Sequence, residues 1–120
     1  MDFDFERLDV YQKALEFVDD VYTLSGSFPR EERFGLVAQF RRAAISITLN
    51  IAEGSGRTKK DFRHFLRNAR ASCYECVAIL HIAWKRSYLS KDKRQNYIER
   101  LVRVSKMLSG LIRSLGGDQS

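Results

Sequence analysis

The chain predicts an all-α protein, an antiparallel up-down-up-down four-helix bundle. Three observations carry that prediction. One proline, Pro29, and seven glycines in 120 residues leave long stretches free of helix breakers. Four of those stretches place apolar residues at three- and four-residue steps, the period of a helix with one buried face. The breaks between them are a few residues long, so consecutive helices lie side by side and run in opposite directions. At 120 residues and 44% apolar content the chain makes one domain, residues 1–120, with a packed core.

The first helix is expected over residues 8–25. Leu8, Tyr11, Leu15, Val18 and Tyr22 form one apolar row, and Val10, Ala14, Phe17, Val21 and Leu24 a second beside it. Together they span more arc than one core seam needs. Gly26 ends the helix, and Ser27-Phe28-Pro29 turns the chain. The second helix is expected over 31–53, with Glu31 and Glu32 at the positive end of its dipole. Its core stripe is Leu36, Phe40, Ala43, Ile47 and Ile51. Gly54-Ser55-Gly56 stops it, since glycine tolerates the left-handed conformation of a helix end.

The third helix, 59–87, opens on Thr58, with Asp61 three residues on in the pattern of a capping box. Phe62, Phe65, Leu66, Ala69, Cys73, Cys76, Val77, Leu80 and Ala83 form its stripe. The fourth, 91–115, has Ser90 as its N-cap and Tyr97, Leu101, Val104, Leu108, Leu111 and Leu115 as its inner face. Residues 116–120 are expected to fray.

The second helix also carries Gln39, Arg42, Ser46, Asn50 and Glu53 at helical spacing. Buried polar groups cost free energy unless paired, so this row predicts a satisfied network or an interface. Glu75, midway along the third helix, is placed to face it in an antiparallel pairing.

The net charge of +6 is unevenly divided. Residues 1–34 hold nine acids and four bases, a net −5; residues 35–120 hold seventeen bases and six acids, a net +11. A basic body with an acidic head points to a polyanion partner, or to contact between opposite patches of neighbouring copies. The plainer alternative is a well-solvated surface. Lys60, Arg63, Arg67 and Arg70 make one ridge of the third helix. Arg57 and Lys59 extend it to the helix N-terminus, where free amides and the dipole favour phosphate. Lys93, Arg100 and Arg103 make a similar row on the fourth helix, with Arg113 further down. Such ridges neutralise phosphates with little reading of base sequence. No aromatic residue is interleaved with them, so stacking on single strands is not indicated.

Catalytic and metal chemistry find little support. Cys73-Tyr74-Glu75-Cys76 has the C-x-x-C spacing, but a structural zinc needs about four ligands. The other soft ligands are His64, roughly 180° around the helix from Cys73, and His81, roughly 140° from Cys76. Both cysteines lie on the apolar stripe and read as core. The two histidines are about 25 Å apart along one helix, too far to share a proton transfer within one subunit. Gly54-Ser55-Gly56-Arg57 follows a helix and lacks the Gly-Lys-Ser/Thr ending of a phosphate loop. No enzyme activity, metal or cofactor is expected. The acidic N-terminus lacks the apolar segment of a signal peptide, and no apolar run approaches the ~20 residues of a membrane span. With no disulfide framework either, a cytoplasmic protein is expected.

The run from Phe28-Pro29 through Gln39-Phe40-Arg41-Arg42-Ala43-Ala44-Ile45-Ser46-Ile47, then Asn50-Ile51-Ala52-Glu53-Gly54 and Gly56-Arg57, resembles the 23S rRNA intervening-sequence proteins. Leu8-Asp9-Val10-Tyr11-Gln12-Lys13-Ala14, Phe62-Arg63-His64-Phe65-Leu66, Ala71-Ser72-Cys73-Tyr74-Glu75 and Tyr88-Leu89 extend the likeness, which covers the chain from Leu8 to about Leu115. Two positions depart from it: Tyr11 stands where many relatives carry tryptophan, and Ser87 where many carry glycine. The resemblance implies a homopentamer of four-helix bundles with a basic surface suited to nucleic acid. Related bundle proteins serve as accessory factors for reverse transcriptases in diversity-generating retroelements. The family name refers to genes that lie inside rRNA insertions.

The expected function is a non-enzymatic, ring-forming bundle that binds structured RNA or DNA through its basic ridges. The acidic first helix is expected to meet a basic neighbour in the ring. A protein-interaction scaffold, such as an adaptor for a polymerase or another nucleic-acid enzyme, is the main alternative. A nuclease with a site assembled between subunits is the third.

Overall fold

The four periodic segments fold into four helices, in a computed structural model that describes residues 3–116. These are α1 (Asp9–Ser25), α2 (Leu36–Ser55), α3 (Lys59–Lys85) and α4 (Lys91–Ser114). Short 3-10 turns at Asp4–Arg7 and Arg30–Glu32 precede α1 and α2. Of the tail expected to fray, residues 117–120 lie outside the described residues.

Partners across two of the seams run in opposite order along the chain, which makes α3 antiparallel to both α2 and α4. Between α2 and α3, Arg42 meets Glu75, Ser46 meets Ser72, and Gly54 lies against Phe65. Between α3 and α4, Arg63 reaches Leu115, Arg70 reaches Ser109, and Trp84 lies under Arg94. The α1–α4 seam is the most sparsely packed of the four. Phe17, Phe40, Ile47, Ile51, Leu66, Leu80, Leu101, Leu108 and Ile112 are fully buried where the four stripes converge. Ile112 was not among the expected core positions; Leu111 and Leu115, which were, are half-buried beside it. In α1 the row Val10, Ala14, Phe17, Val21 and Leu24 is buried, with Ser25 at its end, and the other apolar row is not.

Two boundaries differ from expectation, each for a local reason. The helix expected from residue 31 starts at Leu36, because Arg30–Glu32 forms a 3-10 turn and Gly35 leaves helical geometry at φ −107°, ψ −107°. Glu32 still serves the positive end of α2, but from outside the helix. Its Oε1 accepts the Leu36 backbone N–H at 3.2 Å, and its Oε2 accepts the Tyr88 hydroxyl at 2.8 Å. Those bonds, Tyr88 first, hold the Glu32 carboxyl below its ordinary value.

At the other end of α2 the glycines act differently from the expected left-handed stop. Gly54 lies inside the helix, and Gly56 has φ −88°. What Gly54 supplies is closeness: a Cβ there would stand 2.6 Å from Phe65 Cβ. Its missing side chain lets α2 and α3 approach at the point where the chain reverses.

The left-handed stop falls instead at Ser87, with φ 65°, two residues past the end of α3 at Lys85. The left-handed region costs an L-residue about 1–2 kcal/mol, and glycine much less. Ser87→Gly is therefore expected to raise stability by about 1 kcal/mol, which is about 4 °C in melting temperature for a chain of this size. Thermal unfolding followed by circular dichroism checks this. An unchanged or lower midpoint would show that the exit from α3 is unstrained.

Candidate nucleic-acid interface and polar seam

The polar row of α2 comes together with α3. Arg42 donates from Nη2 and Nε to Gln39 Oε1, at 3.0 and 3.3 Å, and pairs across the seam with Glu75. Deeper in the seam the Ser72 hydroxyl donates to Ser46 Oγ at 2.9 Å. Asn50 Nδ2 donates to the same Ser46 hydroxyl and to its carbonyl oxygen, at 3.1 and 2.8 Å. Glu53, last in the row, is exposed and makes no hydrogen bond or ion pair among the described residues. The Arg42 side chain is 59% exposed, so its pair with Glu75 contributes at most about 1 kcal/mol. What the network does is fix register, since sliding α3 by one residue would break the Ser46–Ser72 and Arg42–Glu75 contacts together. Ser72 was missed from sequence, although Asn68, Ser72 and Glu75 recur at helical steps and mark a polar stripe facing α2.

The basic residues divide into two surfaces. Arg57, Lys59, Lys60 and Arg63 gather at the start of α3, beside the end of α4 and Arg113 in its last turn. Arg57, Lys59, Lys60 and Arg113 are exposed. Thr58 Oγ1 accepts the Asp61 backbone N–H at 3.1 Å, so one amide of the first turn is satisfied. The first-turn amides of Lys59 and Lys60 have no partner within the helix and add to the local positive potential.

Several of the arginines also hold the bundle together. Arg63 Nη1 donates to the Leu115 carbonyl at 2.7 Å, capping α4. Arg70 Nη1 donates to Ser109 Oγ at 2.9 Å, and half-buried Arg67 lies between them on the same ridge. Arg57 sits 5.2 Å above the Phe65 ring.

On α4 the row faces a different way. Arg100 pairs with Asp20 at 2.8 Å and lies over the rings of Phe17 and Tyr97, where it closes the α1–α4 seam. Arg103 is exposed on the rim of a cleft shared with Lys13, Glu16 and Glu99. Lys93 is exposed near the opposite end of the bundle, about 30 Å along α4 from Arg113. Sequence spacing shows which side chains share a helix face, and the fold shows which of those faces are used for packing.

Cys73 and Cys76 are buried in the core. Burial pushes the Cys73 thiol up to about 12 and raises Cys76 as well, so neither is a thiolate at neutral pH. His64 and His81 are both exposed. Among the described residues no three of His, Cys, Asp and Glu gather in a group that could hold a metal ion. No helix among them is long and apolar enough to cross a membrane.

These features define an all-α bundle whose exposed chemistry is a set of cations at the start of one helix and a polar seam beside it. The chain belongs to the 23S rRNA-intervening sequence protein family, whose sequence model matches residues 6–110. Its fold is similar to that of a protein of unknown function from the S23 ribosomal protein family of Bacteroides thetaiotaomicron VPI-5482, with a TM-score of 0.80 at 24% identity. That likeness covers 87% of this chain and 95% of the other. No curated protein matches the sequence.

Proposed function

We propose that the protein is a non-enzymatic, oligomeric bundle of the cytoplasm that binds structured RNA or DNA through phosphate contacts. The observation that supports this reading is the exposed set Arg57, Lys59 and Lys60 at the N-terminal end of α3, with Arg113 beside it. A helix N-terminus flanked by cations favours phosphate oxygens over any one base sequence. Five copies, the number implied by the family resemblance, would multiply the contacts.

Titration of duplex RNA and duplex DNA at 50 and 200 mM salt tests the reading. A surface making about four phosphate contacts loses about 150-fold in affinity over that range. Binding that is absent even at 50 mM salt would end it.

A second reading, a scaffold that recruits a nucleic-acid enzyme such as a reverse transcriptase, is favoured by the uncovered apolar side chains of Leu49 and Tyr74. Pull-down with partner identification separates it from the first, since a scaffold retains its partner after nuclease treatment.

A further inference from the structure

Apart from Phe34, Leu49 and Ile82, which are exposed singly, the uncovered large apolar side chains of the helices fall in two strips. On α1, Leu15 is 46% exposed and Tyr22 43% exposed, in one helical row with half-buried Tyr11 and Val18. Between α3 and α4, Tyr74 is 62% exposed and Val102 45% exposed. They flank a groove of about 230 Å³ that is floored by Cys73, Val77 and Leu101. Since α1 and α3 each pack against both α2 and α4 but not against each other, the strips lie on opposite sides of the bundle. One molecule cannot close one strip over the other.

The charges around the strips have opposite net signs. Exposed Asp9, Glu16 and Asp19 outnumber the bases of the α1 side, Lys13 and the Arg41 guanidinium 4.4 Å over the Tyr22 ring, whereas Lys106 lines the groove and Arg70 stands one turn along α3 from Tyr74. A two-fold contact through α1 would set acids against the same acids, because such a contact uses one patch twice. A head-to-tail contact sets apolar surface on apolar surface and acid beside base.

We infer that the outer row of α1 of one copy docks in the α3–α4 groove of the next. The inference rests on the oligomeric part of the proposed function and says which surfaces carry it. Contacts of this kind close into a ring when the rotation between copies fits, and run on as a filament when it does not. Arg70 and Lys106 then face the neighbour's acids. Arg57, Lys59 and Lys60, at the start of α3, stay open to phosphate.

Light scattering of Leu15→Glu and Val102→Glu tests this, alone and mixed, with helicity and melting temperature confirming that each folds. The native protein should be larger than a monomer at micromolar concentration, and each variant alone should be monomeric. Mixed one to one, the variants should form a dimer and nothing larger, since L15E keeps an intact groove and V102E an intact α1 row. Variants that keep the native size, or a mixture that stays monomeric, would overturn the inference while leaving self-association standing. A native protein that is itself monomeric would remove the oligomeric reading and the inference with it. Should either variant lose helicity, Asp19→Lys and Lys106→Glu change only exposed charge. Each should weaken association at low salt, and mixing them should strengthen it again, since every contact between unlike copies sets an acid beside a base. Association indifferent to both would also overturn the inference.

Discussion

Gly54→Ala is expected to destabilise the protein by about 2 kcal/mol, although alanine is the better helix former by about 1 kcal/mol. The added Cβ would stand 2.6 Å from Phe65 Cβ, 3.0 Å from Phe62 Cδ1 and 3.1 Å from Phe65 Cγ. Phe65 Cβ is fixed to the α3 backbone, so no rotamer change relieves the closest of these contacts. Only a shift of α3 away from α2 does so, and that shift strains the Ser46–Ser72 and Arg42–Glu75 contacts further along the seam. Gly54→Val, larger and β-branched, should cost more still. Gly110 supplies the control. It also lies inside a helix, but the nearest atom to a Cβ there would be Arg113 Nη2, at 3.8 Å. Gly110→Ala should therefore stabilise by up to about 1 kcal/mol. Urea unfolding of the two variants should move their midpoints in opposite directions. A Gly54→Ala protein more stable than the native one would show that the helices separate there without cost.

The contrast between Gly54 and Gly110 also marks where sequence reading stops. The four helices were legible because apolar period, caps and breaks are local properties. Ser90 and Thr58 cap α4 and α3 as their positions suggest. The double apolar row of α1 was visible as well, and the structure divides it into a buried half and an uncovered half. Gly54 was misread as a stop because its reason lies in Phe65, on another helix. The start of α2 was misplaced because Glu32 caps it through a side chain that Tyr88, 56 residues away, also holds.

The candidate interface was legible only as spacing. Lys60, Arg63, Arg67 and Arg70 share a face of α3, but the Leu115 carbonyl and the Ser109 hydroxyl come from α4. Nothing in the three- and four-residue steps separates a cation that bonds its own fold from one that is open to a ligand. The same holds for Arg100, whose partners Asp20 and Phe17 belong to the first helix.

That division decides which residues a binding experiment should change. Replacing Arg63 would uncap α4 as well as remove a charge, so weaker binding would have two causes. Arg57, Lys59 and Lys60 are exposed and donate to no carbonyl or carboxylate among the described residues, and Arg57 lies over the face of Phe65. Changing all three to glutamine is expected to leave the melting temperature within a few degrees of native and to remove most of the binding. If the native surface makes about four phosphate contacts, its affinity falls about 150-fold between 50 and 200 mM salt, while a surface left with one falls only about 4-fold. The loss of slope is the informative quantity, because unfolding or aggregation lowers affinity without changing the number of ions released. Lys93→Gln with Arg103→Gln removes two exposed charges from the other basic surface and should leave the slope as it was. Equal effects from both sets would mean that net charge alone attracts the polyanion. An unchanged slope in the triple variant would place the phosphate contacts away from the start of α3.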